Sequence, residues 1–578
     1  MNQKNGVSRL REILLLLLLI AALTVNVLCW GNKKEGFHID ELFAYGQIGD
    51  TDHWRIWIVP SGEQYLSSWH DRSYFMEHLT VSQEEAFDLA GAWNTASDNY
   101  AHPPLYFVVL MLVTSLFFQN DFTKWSGLTT NLPFFVLNLV LVYLTAKRLF
   151  HRRALPSFAV LLLYGISVGA VNTAVYMRMY MMLTFLVSLY FYAHCLLFER
   201  IFTEDAGIRR CFVPCALIFL AILGGALTQY YFLILAFLFC LLFGVCLLLK
   251  KQRMLSLVYG GCSIVPVMLS ILVSPNYIED LFFNQRGAEA LDNAASASGW
   301  QTSFLEYRTI TDGVLFGFHG WCLAAALLLL LAAVILRRTC VFRLLPGAHP
   351  GSFTVQIRRR QPDIPPEAPG AFSFGVVWSA VFVFLLFLAV LCFTGVIALI
   401  APFKEDRYVM CIFPAIFLIV CYCMDSLLKR AACGKPVLLA AGFVLAGIVL
   451  SGYGSPGVSY LYQGANEQMH YLDPFPEARA IVITDDGDDW SSSCIAHYLM
   501  RSGSVLPTTE KDLPQLSAMA APEPSEQMLL YIYTAKEPAE EWTDAYLDQV
   551  EDALHPTSVF PLFRTNSYEC FNVYVLNF

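Results

Sequence analysis

The sequence predicts a polytopic α-helical membrane protein that carries a small α/β domain at its C-terminal end. Of its 578 residues, 56% are hydrophobic and only 15% are charged, and the mean hydropathy is +0.52. A chain of this length and composition is too apolar for a soluble protein. Apolar runs such as 13–29, 217–250 and 372–400 reach the roughly 20 residues needed to cross a bilayer. After residue 453 shorter, alternating segments replace these runs.

The basic residues orient the apolar segments, because Lys and Arg clusters favour the cytoplasmic side of a membrane. If every segment crossed, Arg9 and Arg11 would lie opposite all later basic clusters. The segment 103–118 is the weakest candidate, since it is short, begins at two prolines and leads into a polar stretch. With that segment in the outer leaflet, about eleven helices span the membrane. They are 12–30, 131–149, 155–176, 179–198, 211–228, 230–249, 255–274, 319–336, 376–401, 408–426 and 436–453.

This topology places the N-terminus in the cytoplasm and divides the chain into two domains. Residues 1–453 form a transmembrane domain with two long outer loops, 31–130 and 275–318, and residues 454–578 form an extracytoplasmic α/β domain. The first segment lacks a small-x-small cleavage site, which favours a retained helix over a signal peptide. In the C-terminal domain the pattern predicts strands at 480–489, 528–535 and 570–578 and helices around 491–501 and 540–554. Cys494 and Cys570 share this domain, and their spacing leaves open whether they form a disulfide.

Two adjacent carboxylates follow the first apolar segment, in the stretch GFHIDELFAYG. On a helix, the side chains of Asp40 and Glu41 would point about 100° apart, so one can face a reaction centre while the other orients a neighbouring group. An isolated acidic pair is more often a helix cap. At the end of the same loop, SDNYAHPPLYF places His102 directly before two prolines that fix the start of a helix. Such a histidine is ordinarily an interfacial hydrogen-bonding residue.

Two arginines lie at outer helix ends, in VYMRMYMML and FKEDRYVM. Arg178 and Arg407 are predicted on the outer side, although basic residues usually lie on the cytoplasmic side. Each has a tyrosine nearby in the sequence, Tyr180 and Tyr408. A planar guanidinium suits phosphate oxygens, which it can bind through two parallel hydrogen bonds. The alternative is that both arginines only anchor their helices at the interface.

The ordered motifs HIDE, HPPLYF, RMYMML, LTQYYF and EDRY, within residues 12–426, resemble the GT-C glycosyltransferases, in particular the protein O-mannosyltransferase and lipid A aminoarabinose transferase branch. The resemblance implies that Asp40 is the catalytic acid of the first outer loop, with Glu41 beside it. It implies a donor phosphate near His102, Arg178, Tyr180 and Arg407. It also implies a substrate pocket that includes Gln229, Tyr230, Tyr231 and Tyr408, although relatives often have histidine in place of Gln229.

The function implied is transfer of a sugar, a mannose-like hexose or a related one, from a polyprenyl-phosphate carrier to an acceptor outside the membrane. Fixed cations would stabilise the leaving phosphate, and a carboxylate would take the acceptor's proton in a single, inverting displacement. The acceptor could be a protein hydroxyl, a cell-wall polymer or a glycolipid. Membrane lipids surround such a protein, and nothing in the sequence indicates nucleic-acid binding.

The sequence also allows a metal site and a different function. The first outer loop holds several potential metal ligands, but without a tight ligand spacing. They are His38, Asp40, Glu41, His53, His70, His78 and His102. We therefore predict no cofactor. The alternative is that Asp40 and Glu41 bind a divalent cation, Mg²⁺ or Mn²⁺. A multi-helix lipid or glycan transporter or flippase is the alternative function, although the ionisable residues gather at helix ends and not at the membrane midplane.

Overall fold

The structure is a computed structural model that is helical up to Ser451 and rich in strands beyond it. It describes residues 3–50, 55–57, 64–98, 102–203, 208–274, 276–296, 299–346, 353–359, 378–485, 490–534 and 539–578. The α-helices are α1 (Gln3–Asn32), α2 (Ile39–Gly49), α3 (Arg72–Leu79), α4 (Leu89–Asp98), α5 (Leu105–Phe117), α6 (Lys124–Leu149), α7 (Ala154–Gly165), α8 (Val168–Val175), α9 (Tyr180–Thr203), α10 (Ile208–Ala226), α11 (Tyr231–Leu249), α12 (Arg253–Val273), α13 (Tyr277–Phe282), α14 (Gln285–Ser296), α15 (Trp300–Phe316), α16 (Gly320–Thr339), α17 (Trp378–Ile400), α18 (Phe413–Arg430), α19 (Lys435–Ser451), α20 (Ala465–Tyr471), α21 (Ala496–Leu499), α22 (Leu516–Met519) and α23 (Ala539–Leu554). The strands are β1 (His70–Asp71), β2 (Cys340–Pro346), β3 (Phe353–Arg359), β4 (Arg479–Thr484), β5 (Ser504–Thr509), β6 (Gln527–Tyr533), β7 (Ser558–Arg564) and β8 (Phe571–Asn577).

The helices confirm an integral membrane protein. Within the described ranges, eight of them are long and apolar enough to cross a bilayer. Two further pairs pass the same test together but are bent, α7 with α8 by 57° and α15 with α16 by 85°. The last predicted span, 436–453, corresponds to α19, whose apolar part is shorter than the others. The total of eleven spans and the orientation of the termini therefore stay predictions.

The two bends have local causes. The predicted span 155–176 is broken before α8, where the Ser167 side chain accepts a hydrogen bond from the Ala170 backbone N–H at 3.2 Å and so caps a new helix. The predicted second outer loop, 275–318, is folded into α13, α14 and α15. The turn from α15 into α16 uses two left-handed residues, Gly317 at φ +55° and Phe318 at φ +64°.

Helix α5 is the segment that the charge argument keeps from crossing. It has 13 residues, which at 1.5 Å per residue is about 20 Å, against a hydrocarbon core of about 30 Å. Its Tyr106, Phe107 and Leu110 are fully buried in the bundle. At its start, the Leu105 N–H donates to the Leu227 carbonyl at 2.9 Å. The helix is thus too short to span, and its first residues are tied to the end of α10.

The C-terminal domain is built on a six-stranded sheet with the order β1-β5-β4-β6-β8-β7. Strands β4, β5 and β6 are parallel, while β8 is antiparallel to β6 and β7. Strands β4, β6 and β8 and helix α23 lie within or close to their predicted ranges, while residues 486–489 and 535 of two predicted strands lie outside the described residues. The helix predicted around 491–501 is a 3₁₀ turn, Ser491–Ile495, followed by the short α21. Strands β5 and β7 were not predicted. Each contains a proline, Pro507 or Pro561, and a proline weakens the strand pattern in a sequence. Cys494 and Cys570 are both free thiols.

The first long loop contributes directly to this sheet. Its strand β1 pairs antiparallel with β5, with His70 opposite Val505. The Glu35 carboxylate also accepts the Gly464 backbone N–H at 2.6 Å. One face of the sheet, including Val482 and Tyr531, shares a continuous apolar core with the helical bundle. The C-terminal domain is therefore held against the end of the bundle that carries the first loop.

Candidate active site

Nine of the ten predicted site residues line one cavity of about 1180 Å³ between the helical bundle and the C-terminal domain. They are Asp40, His102, Arg178, Tyr180, Gln229, Tyr230, Tyr231, Arg407 and Tyr408. These residues are up to 368 positions apart in the chain, so the fold alone brings them together. Glu41 does not line the cavity.

Asp40 lies in the first turn of α2, with its side chain about one quarter exposed at 26%. One of its carboxylate oxygens accepts hydrogen bonds from the Tyr176 hydroxyl, at 2.8 Å, and from Arg407. Burial acts to raise the pKa of this carboxyl, but the positive charge of Arg407 above all outweighs burial and holds the pKa well below its usual range. Asp40 is thus a carboxylate that faces the cavity in its ionised form.

Arg407 stands between two carboxylates. It binds Asp40 on one side, and its Nε lies 2.8 Å from Glu405 Oε2 on the other. The guanidinium is held in place by the loop that carries it, because the neighbouring Asp406 accepts hydrogen bonds from Tyr460, at 2.6 Å, and from Asn172, at 3.2 Å. The charge of Arg407 is therefore balanced by carboxylates of the protein itself.

Arg178 differs from Arg407 in that none of the described carboxylates pairs with it. One of its terminal nitrogens donates to the backbone carbonyl of Asp40 at 2.8 Å, and its Nε has no hydrogen-bond partner in the described structure. The side chain is 2% exposed and its guanidinium lies 5.5 Å from the centre of the Phe107 ring. A buried charge without a counter-ion is costly unless a ligand supplies one. The predicted part of Arg178 in binding the donor phosphate stays a prediction.

Glu41 points away from the cavity and into the protein. It forms a fully buried ion pair with Lys34 at 2.9 Å, and it accepts backbone hydrogen bonds from His38 and Met177, each at 2.8 Å. The bond from His38 completes a capping box at the start of α2. These contacts fix the helix turn that presents Asp40. Glu41 occupies a supporting position in this arrangement, and its predicted catalytic part stays a prediction.

A stack of three tyrosines lies beside Asp40, and two of them, Tyr176 and Tyr460, were not singled out from the sequence. Tyr176 stacks on Tyr180 at 5.5 Å and on Tyr460 at 4.1 Å between ring centres. Its hydroxyl reaches both Asp40 and Arg407. His38 packs edge-on against Tyr176, and burial lowers its pKa to about 3, so the imidazole is neutral. The stack joins the bundle, the first loop and the C-terminal domain around one carboxylate.

A second acidic residue, Asp280, lines the cavity near the predicted residues Gln229, Tyr230 and Tyr231. The Tyr230 hydroxyl donates to Asp280 at 2.9 Å, and the Asn284 amide donates to its other oxygen at 2.6 Å. Tyr231 packs edge-on against Tyr408 at 5.4 Å. Gln229 accepts the Tyr230 backbone N–H at 2.8 Å with its side-chain carbonyl. Asp280 lies in the second loop, and no sequence motif marked it.

The cavity has an apolar part as well as a polar one. Its apolar lining comes from α11, from the loop helices α13 and α14, and from the end of α17. Several of these side chains are largely exposed, including Phe237 at 66% and Leu291 at 50%. The lining residues are Leu233, Ile234, Phe237, Leu238, Leu281, Phe282, Ala290, Leu291, Ala294, Val396, Ile400 and Phe403. The cavity therefore combines charged groups with a long apolar lining.

The C-terminal domain closes the polar part with Trp490 and Tyr568. The Tyr568 ring lies 4.6 Å from the His38 ring, centre to centre. Neither residue was singled out from the sequence, because an aromatic residue in a loop carries no motif. The C-terminal domain thus contributes residues to the lining of the cavity.

The potential metal ligands of the first loop do not converge. His70 bonds the Tyr65 carbonyl at 2.8 Å, Glu41 is bound to Lys34, and His53 lies outside the described residues. Among the residues described, no group of three or more His, Cys, Asp or Glu side chains is placed to hold a metal ion.

Comparisons with known proteins agree on the architecture. No protein family model matches the sequence, and no curated protein sequence matches it significantly. A crystal structure of ArnT from Cupriavidus metallidurans bound to undecaprenyl phosphate is similar, with 12% identity and a TM-score of 0.51 over 97% of both chains. The apo structure of the same ArnT is also similar, with 13% identity and a TM-score of 0.49 over 97% of both chains. The chain therefore has the GT-C fold that its ordered motifs predicted.

Proposed function

We propose that this protein is a glycosyltransferase that moves a sugar from a polyprenyl-phosphate carrier to an acceptor on the outer face of the membrane. The observation that carries the proposal is one cavity that joins Asp40 and two arginines to a long apolar groove. A polyprenyl-phosphate sugar has the same sequence of chemical groups, namely a long hydrocarbon, a phosphate and a polar sugar. The bound ligand of the similar ArnT structure, undecaprenyl phosphate, supports the assignment of the groove to a carrier lipid.

In this proposal Arg178 binds the donor phosphate first. It is buried and forms no ion pair with a carboxylate in the described structure, so a phosphate would supply its counter-ion. A planar guanidinium can bind two phosphate oxygens at once. His102 and Tyr180 line the same part of the cavity and complete the predicted phosphate group.

Asp40 acts as the general base. The acceptor hydroxyl attacks the anomeric carbon of the sugar, its proton passes to Asp40, and the bond between the anomeric carbon and the phosphate oxygen breaks. The electron pair of that bond leaves with the polyprenyl phosphate. A single displacement of this kind inverts the anomeric centre. Stabilisation of the leaving phosphate by fixed guanidinium groups requires no reorganisation at the moment of reaction.

No resident cation is needed in this scheme, because Arg407 and Arg178 already supply the positive charge. Mg²⁺ or Mn²⁺ bridging Asp40 and Glu41, the option considered from the sequence, would have to displace the buried Lys34 from Glu41. We expect EDTA to leave the transfer rate unchanged. A rate that falls with EDTA and returns with Mg²⁺ or Mn²⁺ would contradict this part of the proposal.

The acceptor class and the sugar are open within the proposal: a protein hydroxyl, a cell-wall polymer and a glycolipid are all compatible acceptors. The experiment uses membranes from a strain that lacks this protein, complemented with the wild-type chain. Undecaprenyl-phosphate carriers with a radiolabelled hexose or pentose are added, and label is followed from the lipid into water-soluble, protein or glycolipid fractions. Label that stays on the lipid with every sugar, while the protein moves the lipid between leaflets of proteoliposomes, would indicate a flippase and refute the transferase.

A further inference from the structure

The C-terminal domain places one partly exposed aromatic side chain at the polar end of the cavity, beside His38. Tyr568 is 38% exposed and lines the cavity, and none of the described residues forms a hydrogen bond with its hydroxyl. Large side chains in a folded domain are normally packed or paired. An exposed ring beside a charged site is therefore available to a ligand.

The loop that carries Tyr568 is held rigidly on both sides. At its base, the Thr565 hydroxyl accepts the Phe571 N–H and the Thr565 N–H donates to the Phe571 carbonyl, both at 2.8 Å. The Asn566 side chain donates to the Gln463 carbonyl at 2.6 Å. These bonds fix the backbone on which the ring sits, so a ligand that stacks on it does not have to order a mobile loop.

The position of the ring relative to Asp40 limits what that ligand can be. The ring centre is 4.6 Å from the centre of His38, whose Nδ1 lies 3.8 Å from the Asp40 carboxylate. The hydrocarbon groove is lined from other elements, α11, α13, α14 and α17. The group next to Asp40 in the proposed reaction is the sugar itself, joined to a phosphate at the arginines. One face of a pyranose carries C–H groups that pack against the negative face of an aromatic ring.

We propose that Tyr568, supplied by the C-terminal domain, is the stacking platform for the sugar ring of the lipid-linked donor. The inference rests on the proposed function, since it names a further subsite of the same cavity. It assigns the C-terminal domain a direct part in donor recognition. It also separates recognition of the sugar, by the domain, from recognition of phosphate and lipid, by the bundle.

The test compares two lipids that differ only in the sugar. Purified wild-type protein and Tyr568→Ala are titrated with undecaprenyl phosphate and with a panel of undecaprenyl-phosphate hexoses and pentoses. We expect Tyr568→Ala to weaken binding of the preferred glycosylated lipid by about tenfold, which is about 1.4 kcal/mol, and to leave binding of undecaprenyl phosphate unchanged. Tyr568→Phe should behave as wild type, because the hydroxyl has no partner to lose. Tyr471→Ala is the matched control, as Tyr471 is similarly exposed at 43% but does not line the cavity.

The outcomes separate this inference from the proposed function. If wild type binds neither lipid, the proposed function fails. If wild type binds both but Tyr568→Ala weakens them equally or not at all, the stacking platform fails while the proposed function survives. Loss of transfer by Tyr568→Ala with both affinities intact would assign the ring to the acceptor and would likewise overturn the inference. Unchanged binding of undecaprenyl phosphate shows that the variant is folded.

Discussion

Replacement of Asp40 by Asn tests the centre of the proposed mechanism and has two consequences of opposite sign. Asn keeps the size of the side chain and can still accept hydrogen bonds from Tyr176 and Arg407, but it cannot take a proton from the acceptor. General-base catalysis contributes about 10²–10⁴-fold, so the rate of transfer should fall by that factor, or by about 2.7–5.4 kcal/mol in the barrier.

Donor binding should respond differently. Arg407 is held by Asp40 and by Glu405, so a phosphate that binds Arg407 competes with two carboxylates for one guanidinium. Asp40→Asn removes one competitor, while Glu405 still pairs Arg407 and keeps it in place. We therefore expect the variant to bind undecaprenyl-phosphate sugar at least as tightly as wild type.

The assay measures both quantities on the same preparation. Single-turnover transfer of label is followed in membranes that contain the native acceptor, and donor affinity is measured on purified protein. Glu405→Gln is the matched control, since it removes the other carboxylate on Arg407 and should affect the rate less. Reduced donor affinity in Asp40→Asn, or a rate within a factor of three of wild type, would refute the assignment of Asp40 as a base that competes with the phosphate.

Three further outcomes follow from the contacts in the site. Arg178→Lys keeps the charge but loses the planar fork, so donor affinity should fall by about 10–100-fold, since a hydrogen bond to a charged group is worth about 1.5–3 kcal/mol; unchanged affinity would make Arg178 an anchor. Glu41→Gln leaves the Lys34 ammonium buried without its partner and should destabilise the protein by about 3–5 kcal/mol, measured by thermal unfolding in detergent. The double variant that also carries Lys34→Met should regain much of this stability. Burial lowers the pKa of His38 and of His497 from 6.5 to about 3. Between these two pH values the unfolded chain therefore binds more protons than the folded chain, and the free energy of unfolding should fall as the pH drops from about 6.5 toward 3. The fall should be smaller in the variant His497→Gln.

The sequence predicted the parts of this site that lie at helix ends and carry unusual residue types. Asp40, His102, Arg178 and Arg407 stand out because charged and imidazole groups at the membrane interface need a reason. Their order along the chain then identified the GT-C fold, which the structural comparison confirms. The motifs predicted ten site residues, and the fold places nine of them around one cavity.

The residue pattern alone did not show which of the two neighbouring acids would face the cavity. Asp40 and Glu41 look equivalent in the sequence, and a helix predicts only that they point in different directions. The direction that Glu41 takes depends on Lys34, which lies before the helix and becomes fully buried against it. A lysine in a loop is ordinarily exposed, so its burial could not be read from the sequence.

The contribution of the C-terminal domain was missed for a different reason. Trp490 and Tyr568 lie in connections of the sheet, and their place in the cavity depends on how that sheet is set on the bundle. One of the contacts that set this placement is β1, a strand of two residues from the first loop that pairs with β5. A strand so short has no periodicity to detect. Long-range docking of this kind leaves no local pattern.

The arrangement around Arg407 suggests how the site handles the charge that moves during the proposed transfer. Before reaction the negative charge is on Asp40, and after it Asp40 is protonated while the leaving phosphate has gained a negative charge. Arg407 contacts Asp40 directly and lines the cavity in which Arg178 receives the phosphate. A single guanidinium with five donors in a rigid fork can satisfy both the carboxylate at the start and the phosphate at the end without leaving its loop. The tie of that loop through Asp406 to Asn172 and Tyr460 then has a chemical purpose: it keeps the cation fixed while the charge it stabilises moves from the base to the leaving group.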